Sequence, residues 1–211
     1  MTAKGKFITL EGGEGAGKST QAKLLAELLR KKKHEVVLTR EVGGCPSAEE
    51  IRELWLSKGE GYWDPLTEVL LISAARSEHL VKTIWPALDR GAWVISDRFA
   101  DSTRAYQGIG LKMGLEAVDH FYHHIAHGFE PDLTLLLDLP VETGLARMNA
   151  RKGPDDRYQQ KDAGFHHVLR EAYLSLAQKY PQRFVVIDAS RDAEAVAKDI
   201  EKAAAGKFLE N

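Results

Sequence analysis

Strand–helix–strand alternation predicts an α/β domain in three layers, with a parallel sheet between two layers of helices. Two observations carry that prediction. Five short runs, Phe7–Leu10, Val36–Thr39, Trp93–Ser96, Leu133–Leu137 and Phe184–Ile187, are apolar without alternation, as strands covered on both faces should be. Between them lie longer segments with apolar residues at i, i+3 and i+4, the period of an amphipathic helix.

The elements follow in order. The first run enters a glycine cluster, and a helix is expected over Thr20–Lys31. The second run ends in the turn Gly43-Gly44-Cys45-Pro46, followed by helical segments Ala48–Leu56 and Leu66–Leu88. The third run precedes Leu115–His127, and the fourth precedes Val141–Ala150. The segment Arg151-Lys152-Gly153-Pro154-Asp155-Asp156-Arg157 is charged and rich in helix breakers. Lying between two helices, it is a candidate lid; an exposed turn reads the same way. Phe165–Tyr180, the fifth run and Ala193–Ala205 complete the chain. No repeat or linker divides it, so residues 1–211 are expected to form one domain, with a lid at about 151–160.

Composition sets limits on function. The chain has 211 residues, 29 Lys and Arg against 31 Asp and Glu, and a net charge of -2. That balance offers no general attraction to nucleic acid or to an anionic membrane, and neither is expected as a partner. No stretch approaches the roughly 20 apolar residues that span a bilayer. With one cysteine, Cys45, and no signal-like apolar segment near the start, the cytoplasm is the expected location.

The strongest motif is Gly12-Gly13-Glu14-Gly15-Ala16-Gly17-Lys18-Ser19, then Thr20. It matches G-x-x-x-x-G-K-[ST] and sits between a strand and a helix, the context that motif requires. Its glycines let backbone N–H groups turn inward around phosphate oxygens, and the helix N-terminus adds a positive dipole end. Lys18 would reach the β- and γ-phosphates and the Ser19 hydroxyl would ligate Mg²⁺. A nucleoside triphosphate is therefore the expected ligand.

A second signal is Val94-Ile95-Ser96-Asp97-Arg98-Phe99, a strand ending in Asp-Arg. Asp97 suits a Mg²⁺ site, directly or through water, and Arg98 can fork across phosphate oxygens. Arg40 ends the second strand, so Arg40, Asp97 and Arg98 should converge on one crevice, opposite the triphosphate. Arg76, alone, reads as a solvated helix face. Ser102, Thr103, Tyr106 and Gln107 can hydrogen-bond a base or serve as caps and surface groups.

These residues resemble thymidylate kinases. The resemblance runs through Phe7–Thr20, Thr39-Arg40-Glu41-Val42-Gly43-Gly44, Ala74-Ala75-Arg76, Asp97–Gly108, Pro131–Asp138 and Gly144–Arg147. It implies a P-loop NTPase fold with a doubly wound, five-stranded parallel sheet and a short lid. It implies transfer of the γ-phosphoryl of ATP to dTMP, with Mg²⁺, by a homodimer; a kinase for another nucleoside or nucleoside monophosphate is the alternative. By position, Lys18, Arg98 and the lid's Arg151 are the implied catalytic residues, and Arg147 lies near adenine. Glu14, Arg40, Ile72, Arg76, Arg98, Ser102, Tyr106 and Gln107 are implied on the dTMP side, with Glu14 on the 3′-hydroxyl and helping to organise the metal. Three departures stand out. The family usually reads Glu-Pro-Gly-Gly-Thr where this chain has Glu41-Val42-Gly43-Gly44-Cys45. Ile72 replaces a thymine-stacking Phe, and Gln159 replaces a lid glutamate in a loop one residue longer. A regulatory P-loop switch would need Asn-Lys-x-Asp after a strand, where Leu137-Asp138-Leu139-Pro140 stands instead. His123-His124 and His166-His167 are adjacent pairs that face different ways on a helix and make poor chelates. Trp55, Tyr62 and Trp63 are expected as a packing cluster or dimer surface.

Overall fold

The computed structural model describes residues 4–59, 61–150, 158 and 161–208. Among them, β1 (Lys6–Glu11), β2 (Val36–Arg40), β3 (Trp93–Asp97), β4 (Leu133–Asp138) and β5 (Phe184–Asp188) form one sheet in the order β2-β3-β1-β4-β5. All four pairings are parallel. The five predicted strands are therefore present, and each runs one residue further at its carboxyl end than its apolar stretch. The added residues are Glu11, Arg40, Asp97, Asp138 and Asp188. Apolar patterning stops where the sheet's carboxyl edge meets the site, so this edge is charged.

Side-chain alternation splits the core between the two faces. Ile8, Leu10, Ile95, Leu133, Leu135 and Leu137 pack on one face with α1 (Lys18–Lys31) and α9 (Ala193–Phe208). Phe7 and Val94 face the other way, against residues from Leu80 to Leu88 and α6 (Leu115–Ala126). Leu136 and Phe184 pack on α8 (Ala163–Lys179). Burial on both faces holds for β1, β3 and β4 but not for the edges. Residues of β2 are half-buried or exposed, and Val186 of β5 is 48% exposed. An edge strand has one neighbour, so a single helix layer cannot cover it.

The predicted helix 66–88 is one continuous helical run. It comprises α3 (Pro65–His79), a π-helical turn at Leu80–Ile84 and α4 (Trp85–Asp89). Pro86 lacks the N–H that would continue the α ladder, and the turn widens just before it. The turn after β2 leads to α2 (Pro46–Leu56), and β4 leads to α7 (Val141–Asn149). One helical segment had no apolar periodicity to announce it: α5 (Ala100–Thr103) and a π-helical stretch, Arg104–Gly110. It is buried through polar groups. Asp101 is fully buried and accepts from Arg104 and Arg183, at 2.9 and 2.6 Å. This buried ion network fixes the segment that follows Arg98. No helix among the described residues is long and apolar enough to cross a membrane.

Candidate active site

The loop Gly12–Gly17 leaves the end of β1, at the middle of the sheet, where the chain's connections diverge to either side. Gly15 has no room for a Cβ: at φ 69°, an added carbon would meet the carbonyl oxygen of Gly144 at 2.1 Å. The loop is thus seated backbone to backbone on α7. Helix α1 starts with no acidic residue in its first turn and no side-chain cap. Its N-terminal dipole end is left for an external anion. Buried Lys18 donates to the carbonyls of Gly12 and Gly13, at 3.0 and 2.7 Å, and so straps the loop from within. Burial, together with the Arg98 charge, lowers its ammonium pKa.

The Ser19 hydroxyl donates to the Asp97 carboxylate at the end of β3. The two predicted metal ligands therefore touch. Next to them, Arg98 has a backbone φ of 68°. That bend is pinned: its N–H donates to Leu10 at 3.0 Å, and its carbonyl accepts from the Ser96 hydroxyl at 2.7 Å. The side chain reaches Glu14 at 2.5 Å and the hydroxyl of Ser102 at 3.2 Å. Tyr106 also donates to Glu14, at 2.7 Å. Burial alone would raise the Glu14 pKa, yet the Arg98 and Lys18 charges lower it to about 2.

A cavity of about 240 Å³ opens from this point. Of the predicted residues, Glu14, Gly15, Gly17, Lys18, Ser19, Asp97 and Arg98 line one end. Arg40, Ile72, Arg76, Ser102, Tyr106 and Gln107 line it as well. Arg40, Asp97 and Arg98 share one crevice, as strand-edge convergence required. Arg76 is not a solvated group: it is 3% exposed. It donates to Glu41 and to the Thr103 hydroxyl, both at 2.8 Å. Ile72 is buried in the wall. Gln107 donates to Tyr158 at 2.8 Å and to Glu68 at 3.3 Å. Arg40 is half-exposed and donates to Glu49 at 2.8 Å.

Other predicted residues lie elsewhere. Gly12 and Gly13 border a smaller cavity behind the loop, Ala16 is buried in the core and Thr20 is exposed on α1. Arg147 donates to the carbonyls of Ala189 and Ser190 after β5, at 2.8 and 3.0 Å. Arg151, the rest of Arg151–Arg157 and Gln159 lie outside the described residues. Trp55 is buried, whereas Tyr62 is 60% exposed against Trp63. His166 is buried and His167 exposed. Among the described residues no three His, Cys, Asp or Glu side chains gather as a metal cluster.

Sequence reading missed Glu41, Glu68, Tyr158, Glu11 and Tyr173. Glu41 is buried and also bonds His79 at 3.0 Å. Its carboxyl pKa is lowered, because the Arg76 charge and the His79 bond outweigh burial. Only Glu11 had a visible signal, a carboxylate ending an otherwise apolar strand directly before the glycine loop.

A central parallel sheet, an anion-cradling loop after β1 and an arginine-lined cavity beside it define a P-loop kinase of the nucleoside monophosphate class. The thymidylate kinase family model matches residues 10–200. The thymidylate kinase of Ruegeria pomeroyi is 50% identical over 200 residues, covering 95% of this chain and 94% of that protein. That of Caulobacter vibrioides is 50% identical over 193 residues, 92% of each chain. The crystal structure of thymidylate kinase from Ehrlichia chaffeensis superposes with a TM-score of 0.79 at 33% identity, covering 95% of this chain and 99% of that one. The chain belongs to the thymidylate kinase family.

Proposed function

We propose that one continuous cavity joins the two substrates of a dTMP kinase end to end, with Arg98 at the junction. As a member of its family the chain is an ATP-dependent nucleoside monophosphate kinase that phosphorylates dTMP to dTDP. One observation carries the assignment of residues: Lys18, Asp97 and Arg98 border the same cavity as Ile72, Arg76 and Tyr106. In this reading Gly12 to Thr20 cradle the triphosphate and Arg147 flanks adenine. Glu14 takes the 3′-hydroxyl of dTMP, and Arg40, Ile72, Arg76, Ser102, Tyr106 and Gln107 enclose the rest.

Phosphoryl transfer asks little covalent chemistry of a protein; positioning and charge neutralisation do most of it. Lys18 and Arg98 bring fixed positive charge to the transferring group, and Arg151 joins them from the lid of a domain spanning residues 1–211. Mg²⁺ fits the donor set: Ser19 and Asp97, which would hold it, supply two hard oxygens side by side. When bound, the ion would neutralise charge on the phosphates.

Because ATP and dTMP are cytoplasmic metabolites, the proposed site of action is the cytoplasm. A homodimer is part of the proposal. Leu66, Leu70 and Val81 are 46%, 47% and 55% exposed along one helical run, an apolar stripe suited to a second copy. The solution mass should be that of two chains.

Steady-state kinetics of Arg76→Ala tests the acceptor assignment. KM for dTMP should rise while KM for ATP stays constant. An equal rise in both would remove Arg76 from the acceptor side.

A further inference from the structure

Glu11 is fully buried at the end of β1. Strand alternation turns Ile8 and Leu10 toward α1 and α9, so Glu11 points the other way, with Phe7 and Thr9, toward α5 and α8. One carboxylate oxygen accepts from the N–H of Phe99 at 2.8 Å. The other accepts from the Ser102 hydroxyl at 2.6 Å and from the Tyr173 hydroxyl at 3.3 Å. Those two hydroxyl oxygens in turn accept from Arg98, at 3.2 and 3.3 Å. Glu11 and Arg98 are thereby joined through a pair of hydroxyls.

We infer that Glu11 is a positioning residue for phosphoryl transfer, whose carboxylate anchors Arg98 through a hydroxyl relay formed by Ser102 and Tyr173. The inference rests on the role given to Arg98 above. An ionised carboxylate only accepts, so the Ser102 hydrogen is committed to Glu11 and its lone pairs face Arg98. Such a chain, with a cation at one end and an anion at the other, polarises every bond in it. A neutral carboxyl must donate as well as accept, which reverses one hydroxyl and removes the negative end. Arg98 then keeps its bonds to Glu14, the Tyr106 hydroxyl and the Gly12 carbonyl, but the relay no longer ends in a negative charge.

The two carboxylates beside Arg98 respond to protons differently. Glu14 stays ionised, with its pKa held at about 2 despite burial. Glu11 is raised to about 7, by burial foremost and by the Asp101 charge, against the opposing bonds from Ser102 and Phe99 and the Arg98 charge. The charged and titratable groups facing it are Asp101 from α5, Arg98 after β3, Tyr173 from α8 and Lys18 from α1. Asp101 is itself neutralised by Arg104 and Arg183. Near neutral pH one carboxylate is therefore fixed while the other titrates.

The sign of the linkage separates positioning from structural support. A carboxyl with a raised folded pKa lowers stability as pH climbs from its unfolded value through about 7. Glu11→Gln, an uncharged isostere, should therefore melt no lower than the parent at pH 8. At that pH its kcat with ATP and dTMP should fall about tenfold, the difference between a charge-assisted and a neutral hydrogen bond. KM for ATP should not move. The acidic limb of kcat near pH 7 in the parent should be absent from the variant, and Tyr173→Phe should reproduce part of the kcat loss. Glu11→Gln combined with Ser102→Ala should cost less than the sum of the single changes, since both break one relay. Unchanged kcat, an unchanged acidic limb, or a parallel fall in melting temperature would overturn the inference. If Glu11→Gln does not fold, full activity in Tyr173→Phe would overturn it equally. Absence of dTMP-dependent turnover in the parent at every pH would instead overturn the substrate assignment and, with it, this inference.

Discussion

The two ends of the cavity are built by different means. The loop end is contiguous, from Gly12 to Thr20, and works through backbone conformation and a helix terminus, with Ser19 and Thr20 exposed. The Arg76 end draws on β2, α3, α5 and the π-helical stretch after it, and is preset by buried ion pairs. Phosphate presents the same oxygens in every nucleotide, so a short backbone motif suffices. A base and sugar are told apart by side chains, and those must be held in place without the ligand. Glu41 is the clearest case, since it fixes both Arg76 and His79 in the buried interior.

If the Arg76 end depends on preset pairs, removing one partner should be the most damaging change. Glu41→Ala leaves Arg76 buried and uncompensated. Chemical denaturation should register a loss of about 3–5 kcal/mol. A loss below about 1 kcal/mol, the range of exposed pairs, would mean that Arg76 relaxes into the cavity.

Next comes the lid. If Arg151 acts on the transferring group as proposed, Arg151→Ala should lower kcat on the order of 10²–10³, because such a donor acts mostly on the transition state. KM for either nucleotide should change less. Unchanged kcat would move the role to Arg157, because Arg147 is engaged with the carbonyls of Ala189 and Ser190.

Acid titration probes the junction. The folded-state pKa of Glu14 is depressed to about 2 from 4.5. Its contribution to stability is present above about pH 4.5 and lost as pH falls toward 2. Glu14→Gln should therefore show a shallower decline in melting temperature across that window. An identical slope would mean that Arg98 does not stabilise the Glu14 charge.

The smallest effect belongs to Ile72. In the proposed dTMP pose an aliphatic wall still excludes water from thymine, but it forgoes an offset-stacking term of about 0.5–1.5 kcal/mol. Ile72→Phe should tighten dTMP by a few-fold to about tenfold without changing KM for ATP. Overpacking would instead cost roughly 1–3 kcal/mol of stability. Measuring Kd and Tm together separates the outcomes, and no change in either would mean that Ile72 does not touch the base.

The same contrast explains what could be read from residues alone. All five strands and most helices were legible, because apolar period records burial against a helix layer. Residues Ala100–Gly110 were not, since Asp101 and Arg104 bury that segment through ion pairs that follow no period. The glycine loop between β1 and α1 was fully legible as a contiguous motif. Arg76 was misplaced onto a solvated face because its partner, Glu41, lies 35 residues away in the chain. Tyr173 is a further case: it meets Ser102 across 71 residues, a contact only the tertiary fold creates.

What most needs testing is that this one cavity couples ATP to a thymine nucleotide in preference to others. ADP release measured with a panel of monophosphates does so directly. The rate per KM with dTMP should exceed that with dUMP, dCMP, dGMP or AMP by at least about tenfold, with the smallest margin for dUMP, which differs by one methyl worth about 1–3 kcal/mol. AMP or dGMP as the best acceptor would contradict it.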